Sequence, residues 1–196
     1  MKQALTLVLM MSLAVQLPAH ADEQVKADKA LADSRATVGE FMQTLKQELM
    51  AGMQAGGPVN AVSVCNLTAP GIANTYSARE GREVSRTSLR PRNPGNAPEA
   101  WERAVLEKFE ARKEAGEDVA TFEFHEVVTV DDTRVLRYMK AIPTGKLCLA
   151  CHGEAVDTVV RTRLEKLYPD DQAMGYSIGD IRGAFSVTQV LDTQAE

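Results

Sequence analysis

The stretch Thr121-Phe122-Glu123-Phe124-His125-Glu126-Val127-Val128-Thr129-Val130 marks a change in the periodicity of the chain. Its large apolar residues of one parity are Phe122, Phe124, Val128 and Val130, and β-branched residues become frequent, which predicts a strand. Asp131-Asp132 suits a turn, and Thr133 to Ile142 predicts an antiparallel strand that returns from it. A β-hairpin is therefore expected in the second half of the chain.

Helical periodicity dominates the sequence before this hairpin. Apolar residues recur at helical spacing from about Asp22 to Met53, and Gly56-Gly57-Pro58 ends that pattern. Pro58 suits the first position of a second helix, whose apolar face carries Cys65, and Pro70 should kink or loosen it one turn further on. The chain is thus expected to begin with two helices.

An arginine-rich and proline-rich loop separates these helices from a third one. Residues 86–98 contain three prolines and three arginines, which excludes regular structure there. Asn96 is predicted to cap the third helix with Glu99 as its capping-box partner, and Trp101, Val105 and Phe109 mark its buried face. The basic side chains of this loop are Arg86, Arg90 and Arg92.

The chain after the hairpin predicts one more helix and one more strand. Val156 to Leu167 has helical spacing, and Ile181, Phe185 and Val187 alternate as in a strand. Helices first and a small antiparallel sheet late give an α+β domain.

The hairpin runs directly into Cys148-Leu149-Ala150-Cys151-His152, which has the C-x-x-C-H spacing of a covalent haem attachment site. Two cysteines three positions apart can reach the two vinyl groups of one porphyrin edge, and the next imidazole can ligate the iron. The motif predicts one covalent haem c, with Cys148 and Cys151 as anchors and His152 as the proximal iron ligand.

A C-x-x-C pair also occurs in zinc sites and in thioredoxin-like redox sites. Half of a zinc site would need two further ligands, but outside the motif and residues 1–21 the chain offers only Cys65 and His125 as Cys or His. A thioredoxin-like redox pair would place its first cysteine at a helix N-terminus after a strand. The histidine directly after the second cysteine favours haem over both.

Residues 1–21 have the features of a cleavable signal peptide. Lys2 supplies the positive charge, Ala4 to Leu17 the apolar run, and Ala19-His20-Ala21 a small-x-small cleavage site. An uncleaved anchor is disfavoured because Gln16 and Pro18 close the run. Export to the periplasm or beyond is expected, and it agrees with haem c, which is attached outside the cytoplasm.

Residues 22–196 form one expected domain without a stable membrane span. The formal net charge of the chain is -5, and loss of Lys2 with the signal peptide makes it more negative. Nucleic acid is therefore not an expected partner. The segment from Glu23 to Ser34 has few large apolar residues, so it is either a solvated helix or a surface for homo-oligomer formation.

The second axial ligand of the iron is left open by the residues alone. Sulfur and imidazole candidates are Cys65, His125, Met42, Met50, Met53, Met139 and Met174. Cys65 is the odd thiol of an exported protein, and its other interpretations are a small buried hydrophobe or an intermolecular disulfide, which its position on the apolar helix face disfavours.

Several motifs in a fixed order resemble the secreted c-type haem domains with a PAS-like fold, which are catalogued as a bacterial domain of unknown function. The matching stretches are residues 61–66 with Ala69-Pro70, residues 86–89, 92–98 and 148–152, and Gly179-Asp180-Ile181-Arg182-Gly183-Ala184. The resemblance implies a PAS-like antiparallel sheet flanked by helices, and iron held by His152 and Cys65.

Arg86, Arg90 and Arg92 are predicted partners of the haem propionates, since guanidinium pairs carboxylate bidentately, although a solvated basic loop is an equal alternative. The resemblance favours a redox or small-ligand sensor domain. A periplasmic electron-transfer cytochrome is the alternative, favoured by a chain that ends at Glu196 without an output module. A peroxidase-type enzyme is not expected, and the redox or signalling partner is not encoded in any motif.

Overall fold

The computed structural model describes residues 18–79 and 81–193. The predicted signal peptide lies outside these residues, except for its last positions, which begin the first helix. No helix in the described part of the chain combines the length and the apolar character that a bilayer crossing requires.

Helix α1, Pro18–Leu67, is two helical limbs joined at two glycines. Gly56 (φ -172°, ψ 27°) and Gly57 (φ 65°, ψ -162°) are not helical. A Cβ at Gly52 would lie 3.0 Å from the Cα of Ala61, whereas positions nine apart in a straight helix are separated by roughly 13 Å. The limbs 18–55 and 58–67 therefore fold back on each other, which confirms the predicted helix end and the new start at Pro58.

Between α1 and the hairpin, one break agrees with the sequence-based expectation, whereas one strand and one helix cap differ from it. Helix α2, Ala69–Ser77, follows a break at Thr68, as the position of Pro70 predicted. Strand β1, Arg82–Thr87, was not predicted, and its last two residues correct the expectation that residues 86–98 have no regular structure. Helix α3, Ala100–Glu114, is capped by Glu99 with Glu102 in the capping box, so the predicted cap at Asn96 was three residues early; Asn96 instead ends a short 3₁₀ turn.

The predicted hairpin is confirmed as β2, Glu123–Val130, and β3, Thr133–Pro143. Asp131 (φ 46°) and Asp132 (φ 59°) form its turn in the left-handed region. Strand β4, Ile181–Thr193, lies between β3 and β1, so that the sheet has the order β1-β4-β3-β2 and is antiparallel throughout.

Helices cover both faces of this sheet. The α3 core lies on one face and comprises Val105, Leu106, Phe109, Val119, Phe122, Met139, Ala141, Ile181 and Ala184. The α1 core lies on the other and comprises Val38, Phe41, Tyr76, Val84, Tyr138, Phe185 and Val187. The predicted α+β class, with an antiparallel sheet flanked by helices and a long N-terminal helix, is confirmed.

A third group, the motif cluster, lies where the second limb of α1 meets helix α5, Thr158–Leu167. Its buried members are Val62, Val156, Val160, Leu164 and Tyr168, and its half-buried members include Val59, Cys151 and Met174. This cluster joins the Cys65-bearing limb to the C-x-x-C-H segment.

Candidate functional site

The C-x-x-C-H segment is helical. A 3₁₀ turn at Lys146–Cys148 continues into helix α4, Leu149–His152. Cys148 and Cys151 are three positions apart and therefore lie on the same side of this helix. Both are half-buried free thiols, and the Gly145 backbone amide donates to Cys148 Sγ at 3.4 Å. The two thiols are placed to reach one edge of a flat ligand.

Gly153 ends this helix at a position where the backbone leaves no room for a side chain. A Cβ there would lie 2.7 Å from the carbonyl oxygen of Leu149, which accepts the Gly153 amide hydrogen bond. The chain then pairs with the segment 173–176, since Gly175 N donates to Gly153 O and Tyr176 N donates to His152 O. The motif is therefore supported along its backbone.

The His152 ring is oriented by the same segment. Its Nδ1 lies 2.8 Å from the carbonyl oxygen of Ala173, an acceptor that fixes the proton on Nδ1 and leaves Nε2 without one. Burial lowers the pKa of the imidazole well below its usual value, and the charges of Arg182 and Arg92 act in the same direction. His152 is therefore a neutral imidazole with an unprotonated Nε2, the form that ligates a metal.

Arg92 binds the motif and its supporting segment together. It donates to Asp171 Oδ2 at 2.9 Å, to the carbonyl oxygen of Cys151, and to that of Ala173 at 3.1 Å. The side chains of Arg92 and Asp171 are only 11% and 10% exposed. Arg92 thus holds the carbonyl that orients His152.

Arg90 reinforces the same segment from the exposed side. Its guanidinium donates to the carbonyl oxygens of Gln172 and Met174 and lies over the Tyr176 ring, 4.5 Å from the centroid. Arg90 and Arg92 therefore have protein oxygens as partners, while their predicted contact with propionates stays a prediction.

Cys65 lies on the limb of α1 that packs against the motif. Val62, one turn before it, is buried in the motif cluster with Cys151, and α1 contacts α4. Burial raises the pKa of the Cys65 thiol, while the positive charges of Arg86 and Arg92 lower it. The charge of Cys65 in turn raises the pKa of the Cys151 thiol, after burial as the main cause. Cys65 and the motif thus share one electrostatic environment.

The other candidates for the second axial position are separated by the fold. His125 is exposed on the edge strand β2 and lines a cavity with the start of α1. Met139 is buried in the α3 core, and Met42 and Met50 are 52% and 37% exposed. Met174 is the exception, because it packs in the motif cluster and its Sδ lies 3.7 Å from Arg92. Of the sulfur candidates, Met174 and the limb that carries Cys65 pack in the motif cluster, while Met53 is a half-buried residue of α1 just before the two glycines.

Arg182 was not singled out from the sequence, yet it contacts the proposed ligand. Its Nε lies 3.2 Å from Nδ1 and 3.4 Å from Nε2 of His152, and its Nη1 lies 3.2 Å from Ser88 Oγ. A sequence signal was present, because Arg182 falls inside a stretch that carries the family resemblance. The register that brings the start of β4 to the motif could not be read from spacing.

The donor set fits a haem. In the described ranges no group of three or more His, Cys, Asp or Glu is arranged to hold a metal ion. A porphyrin supplies four nitrogens itself, so the protein needs to add only one or two axial ligands and, for haem c, two thiols. Cys148, Cys151, His152 and Cys65 are present in one region with these chemistries.

Comparisons with known proteins were made for the sequence and for the fold. The model of the Tll0287-like family matches residues 15–189. A similar solved structure, described as the crystal structure of the cyanobacterial haem-protein Tll0287, has 24% sequence identity and a TM-score of 0.59, over 83% of this chain and 98% of that chain. A search of the curated proteins found no significant match. The family resemblance seen in the sequence is thus confirmed: the chain belongs to the Tll0287-like family.

Proposed function

We propose that this protein is an exported haem c domain in which His152 and Cys65 ligate the iron, and that it acts as a redox or small-ligand sensor. The observation that carries the proposal is the convergence of the C-x-x-C-H helix and the Cys65-bearing limb on one motif cluster. The similar solved structure is described as that of a haem-protein, which supports the same cofactor here.

Each motif residue has one role in this proposal. Cys148 and Cys151 would anchor the porphyrin as thioethers, and the Nε2 atom of His152 would face the iron. The hydrogen bond from Nδ1 to Ala173 O holds the ring plane, and Arg92 holds that carbonyl. Bound haem would supply a one-electron redox centre, and no residue is assigned a catalytic role.

Cys65 gives the site its proposed sensing behaviour. A thiolate opposite an imidazole stabilises ferric iron and lowers the reduction potential relative to methionine or histidine at the same position. Burial raises the pKa of this thiol, so a Cys65 sulfur that is not bound to a metal would be held as the neutral thiol. Protonation and release would couple electron uptake to a movement of the second limb of α1.

Electron transfer is a second candidate function, and the support of His152 favours it. Backbone pairing to residues 173–176 and the Arg92 contacts fix the motif on one side of the haem, as suits a carrier that keeps its ligands. A sensor would exchange Cys65 on reduction, whereas a carrier would keep it. The identity of the iron ligands in the reduced protein therefore separates the two functions.

The first experiment tests haem attachment. The full chain is produced with a c-haem maturation system, and covalent haem is detected by peroxidase staining of a denaturing gel. We expect a stained band for wild type and none for C148A/C151A. A cleaved N-terminus at Asp22 would support export, and an unstained wild type would refute the haem proposal.

The second experiment tests the axial sulfur. Optical and electron paramagnetic spectra are compared for wild type, Cys65→Ser and the matched variant Met174→Leu. Thiolate-type low-spin signals in wild type that are lost in C65S alone support Cys65, whereas a wild-type spectrum of the histidine/methionine type that is lost in M174L alone transfers the position to Met174. Reduced wild type that binds carbon monoxide faster than a closed six-coordinate cytochrome supports sensing, while an unchanged six-coordinate reduced spectrum supports the carrier.

A further inference from the structure

The surroundings of His152 carry more positive than negative charge. Arg86, Arg92 and Arg182 all act electrostatically on its imidazole. Of these three, only Arg92 forms an ion pair in the described part of the chain, with Asp171. Two guanidinium groups thus remain without a carboxylate partner beside the motif.

Arg182 is held in place by neutral groups. Its Nη1 donates to Ser88 Oγ, and the hydroxyl of Ser88 donates to the Arg182 carbonyl oxygen at 2.9 Å. Its Nε lies against the edge of the His152 ring. Burial lowers the pKa of Arg182 to about 10; the charges of Arg92 and Arg86 act in the same direction, and Tyr176 and Asp171 oppose it.

Arg86 has fewer contacts still. Among the residues that the structure describes, none accepts a hydrogen bond from its guanidinium, and the groups that act on it electrostatically are Cys65 and Tyr168. Burial lowers its pKa as well. In the ligand-free chain Arg86 therefore acts on the Cys65 thiol without a carboxylate partner of its own.

The two strands that carry these arginines approach closely at a glycine. Thr87 and Ala184 are paired across β1 and β4, and a Cβ at Gly183 (φ 155°) would lie 2.3 Å from Thr87 O. This contact brings the end of β1 and the start of β4 together, with Arg86 on one and Arg182 on the other. The pair is thus built into the sheet rather than placed on a mobile loop.

A partly buried charge without a counterion is costly, and a protein retains it where a ligand supplies that counterion. We propose that Arg86 and Arg182 are the carboxylate-binding pair of this site and receive the two propionates of the haem. The proposal rests on the haem c function above. Arg86 is one of the three arginines that the sequence predicted as propionate partners, and Arg182 is added from the structure. Arg90 and Arg92 are not included, because they already bind carbonyl and carboxylate oxygens of the chain.

The first test uses the mature, covalently loaded protein. Removal of a cation beside the porphyrin favours ferric iron, so R86Q and R182Q should each lower the midpoint potential. We expect the double variant to shift the reduction equilibrium at least tenfold, which is 59 mV for one electron. R182K keeps the positive charge and should therefore have a midpoint potential close to that of wild type. Arg79 is an exposed arginine paired with Glu40, so Arg79→Gln should leave the potential unchanged.

The second test measures directly whether the propionate carboxylates contribute to haem binding. Haem and its dimethyl ester, in which both carboxylates are capped, are titrated into the full-length C148A/C151A protein. This parent should bind haem at least tenfold more tightly than the ester, and R86Q/R182Q in the same background should reduce that ratio to about one, as a coupling cycle requires.

The outcomes separate this proposal from the haem assignment. Equal affinity of the parent for haem and ester overturns the arginine pairing, whatever the folding of the variants. A ratio or potential that R86Q/R182Q leaves unchanged, or an R182K protein that behaves like R182Q, overturns it as well. Wild type without covalent haem after maturation overturns the proposed function itself.

Discussion

The α3 core and the motif cluster are assembled from different chemistry. The α3 core consists of apolar side chains at most 6% exposed. The motif region combines a small apolar cluster with half-buried thiols, a neutral imidazole and the guanidinium groups of Arg86, Arg92 and Arg182. One region is complete with the chain's own atoms, and the other has charges that the chain does not match.

This difference indicates where the free energy of folding is concentrated. Apolar burial stabilises the α3 core without help from a ligand, since its contribution follows the area removed from water. In the motif region the desolvation of cations opposes burial. We therefore expect the α3 core to define the stability of the ligand-free protein, and a bound anionic ligand to stabilise the motif region.

The largest expected effect is in the α3 core. Phe122 is fully buried and packs against Phe109 with ring centroids 5.6 Å apart. Phe122→Ala should lower the free energy of unfolding by about 3–5 kcal/mol, because it leaves a cavity in the core. Urea unfolding of the haem-loaded and haem-free proteins measures it, and the loss should be equal in both.

Val127→Ala is the matched control, since Val127 is 39% exposed on the edge strand β2. It should change the free energy of unfolding by less than about 0.5 kcal/mol. A loss for Phe122→Ala that differs strongly between the loaded and haem-free proteins would contradict the independence of the two regions.

The second effect lies in the motif region. Asp171→Asn removes the counterion of the buried Arg92 and should cost about 3 kcal/mol in unfolding free energy. It should also alter the His152 environment, because Arg92 shares the Ala173 carbonyl with that ring. Urea unfolding and the nitrogen chemical shifts of His152 measure the two consequences.

Glu40→Gln serves as the control for this variant. Glu40 pairs with Arg79, and both side chains are at least half exposed, so its loss should cost at most about 1 kcal/mol. Equal costs for the two variants would show that the Arg92–Asp171 pair has no special role in the motif region.

A third and smaller effect concerns the contact between α1 and the sheet. Glu123 accepts hydrogen bonds from Arg35 and from the Tyr138 hydroxyl, and the Arg35 bond in particular lowers its pKa. A lowered carboxyl pKa stabilises the folded state above the unfolded pKa of about 4.3, and this stabilisation disappears as the pH falls through the folded value.

The free energy of unfolding of wild type should therefore exceed that of Glu123→Gln by up to about 1 kcal/mol at pH 7, since the Arg35–Glu123 pair is partly exposed. The difference should vanish towards pH 3. Thermal unfolding of both proteins across this pH range measures it, and a difference that grows with acidity would contradict the assignment.

The smallest effect is expected at the hairpin turn, remote from both regions. Asp132 has a φ of 59°, which glycine adopts without steric cost. Asp132→Gly gives the Asp-Gly pair preferred in two-residue turns and should raise the free energy of unfolding by about 0.5 kcal/mol. Asp131→Asn is the control and should be neutral. A destabilised D132G protein would show that the Asp132 side chain has a role in the turn.

The sequence was informative where periodicity alone determines an element. The hairpin, helix α5 and strand β4 were predicted from alternation or helical spacing, and the break in α1 from Gly56-Gly57-Pro58. Strand β1 was missed because Val84 is its only large apolar residue and it gains its place by pairing with β4.

Only those residues of the site that are adjacent in sequence could be predicted. The C-x-x-C-H residues are adjacent in sequence, so their spacing already describes their geometry. Arg182 depends on the register of β4, and the orientation of His152 depends on the Ala173 carbonyl 21 positions later. Such contacts arise from tertiary packing, which a single sequence does not display.

The reversal of α1 at its two glycines has a consequence for the Cys65 sulfur. Gly52 packs directly against the Cα of Ala61, one turn before Cys65, and a Cβ at position 52 would also lie 3.2 Å from a methyl group of Val64. Any larger residue at position 52 would therefore act as a spacer that displaces the thiol. The distance of this sulfur from the C-x-x-C-H helix can thus be adjusted one methyl group at a time, from a position that touches neither.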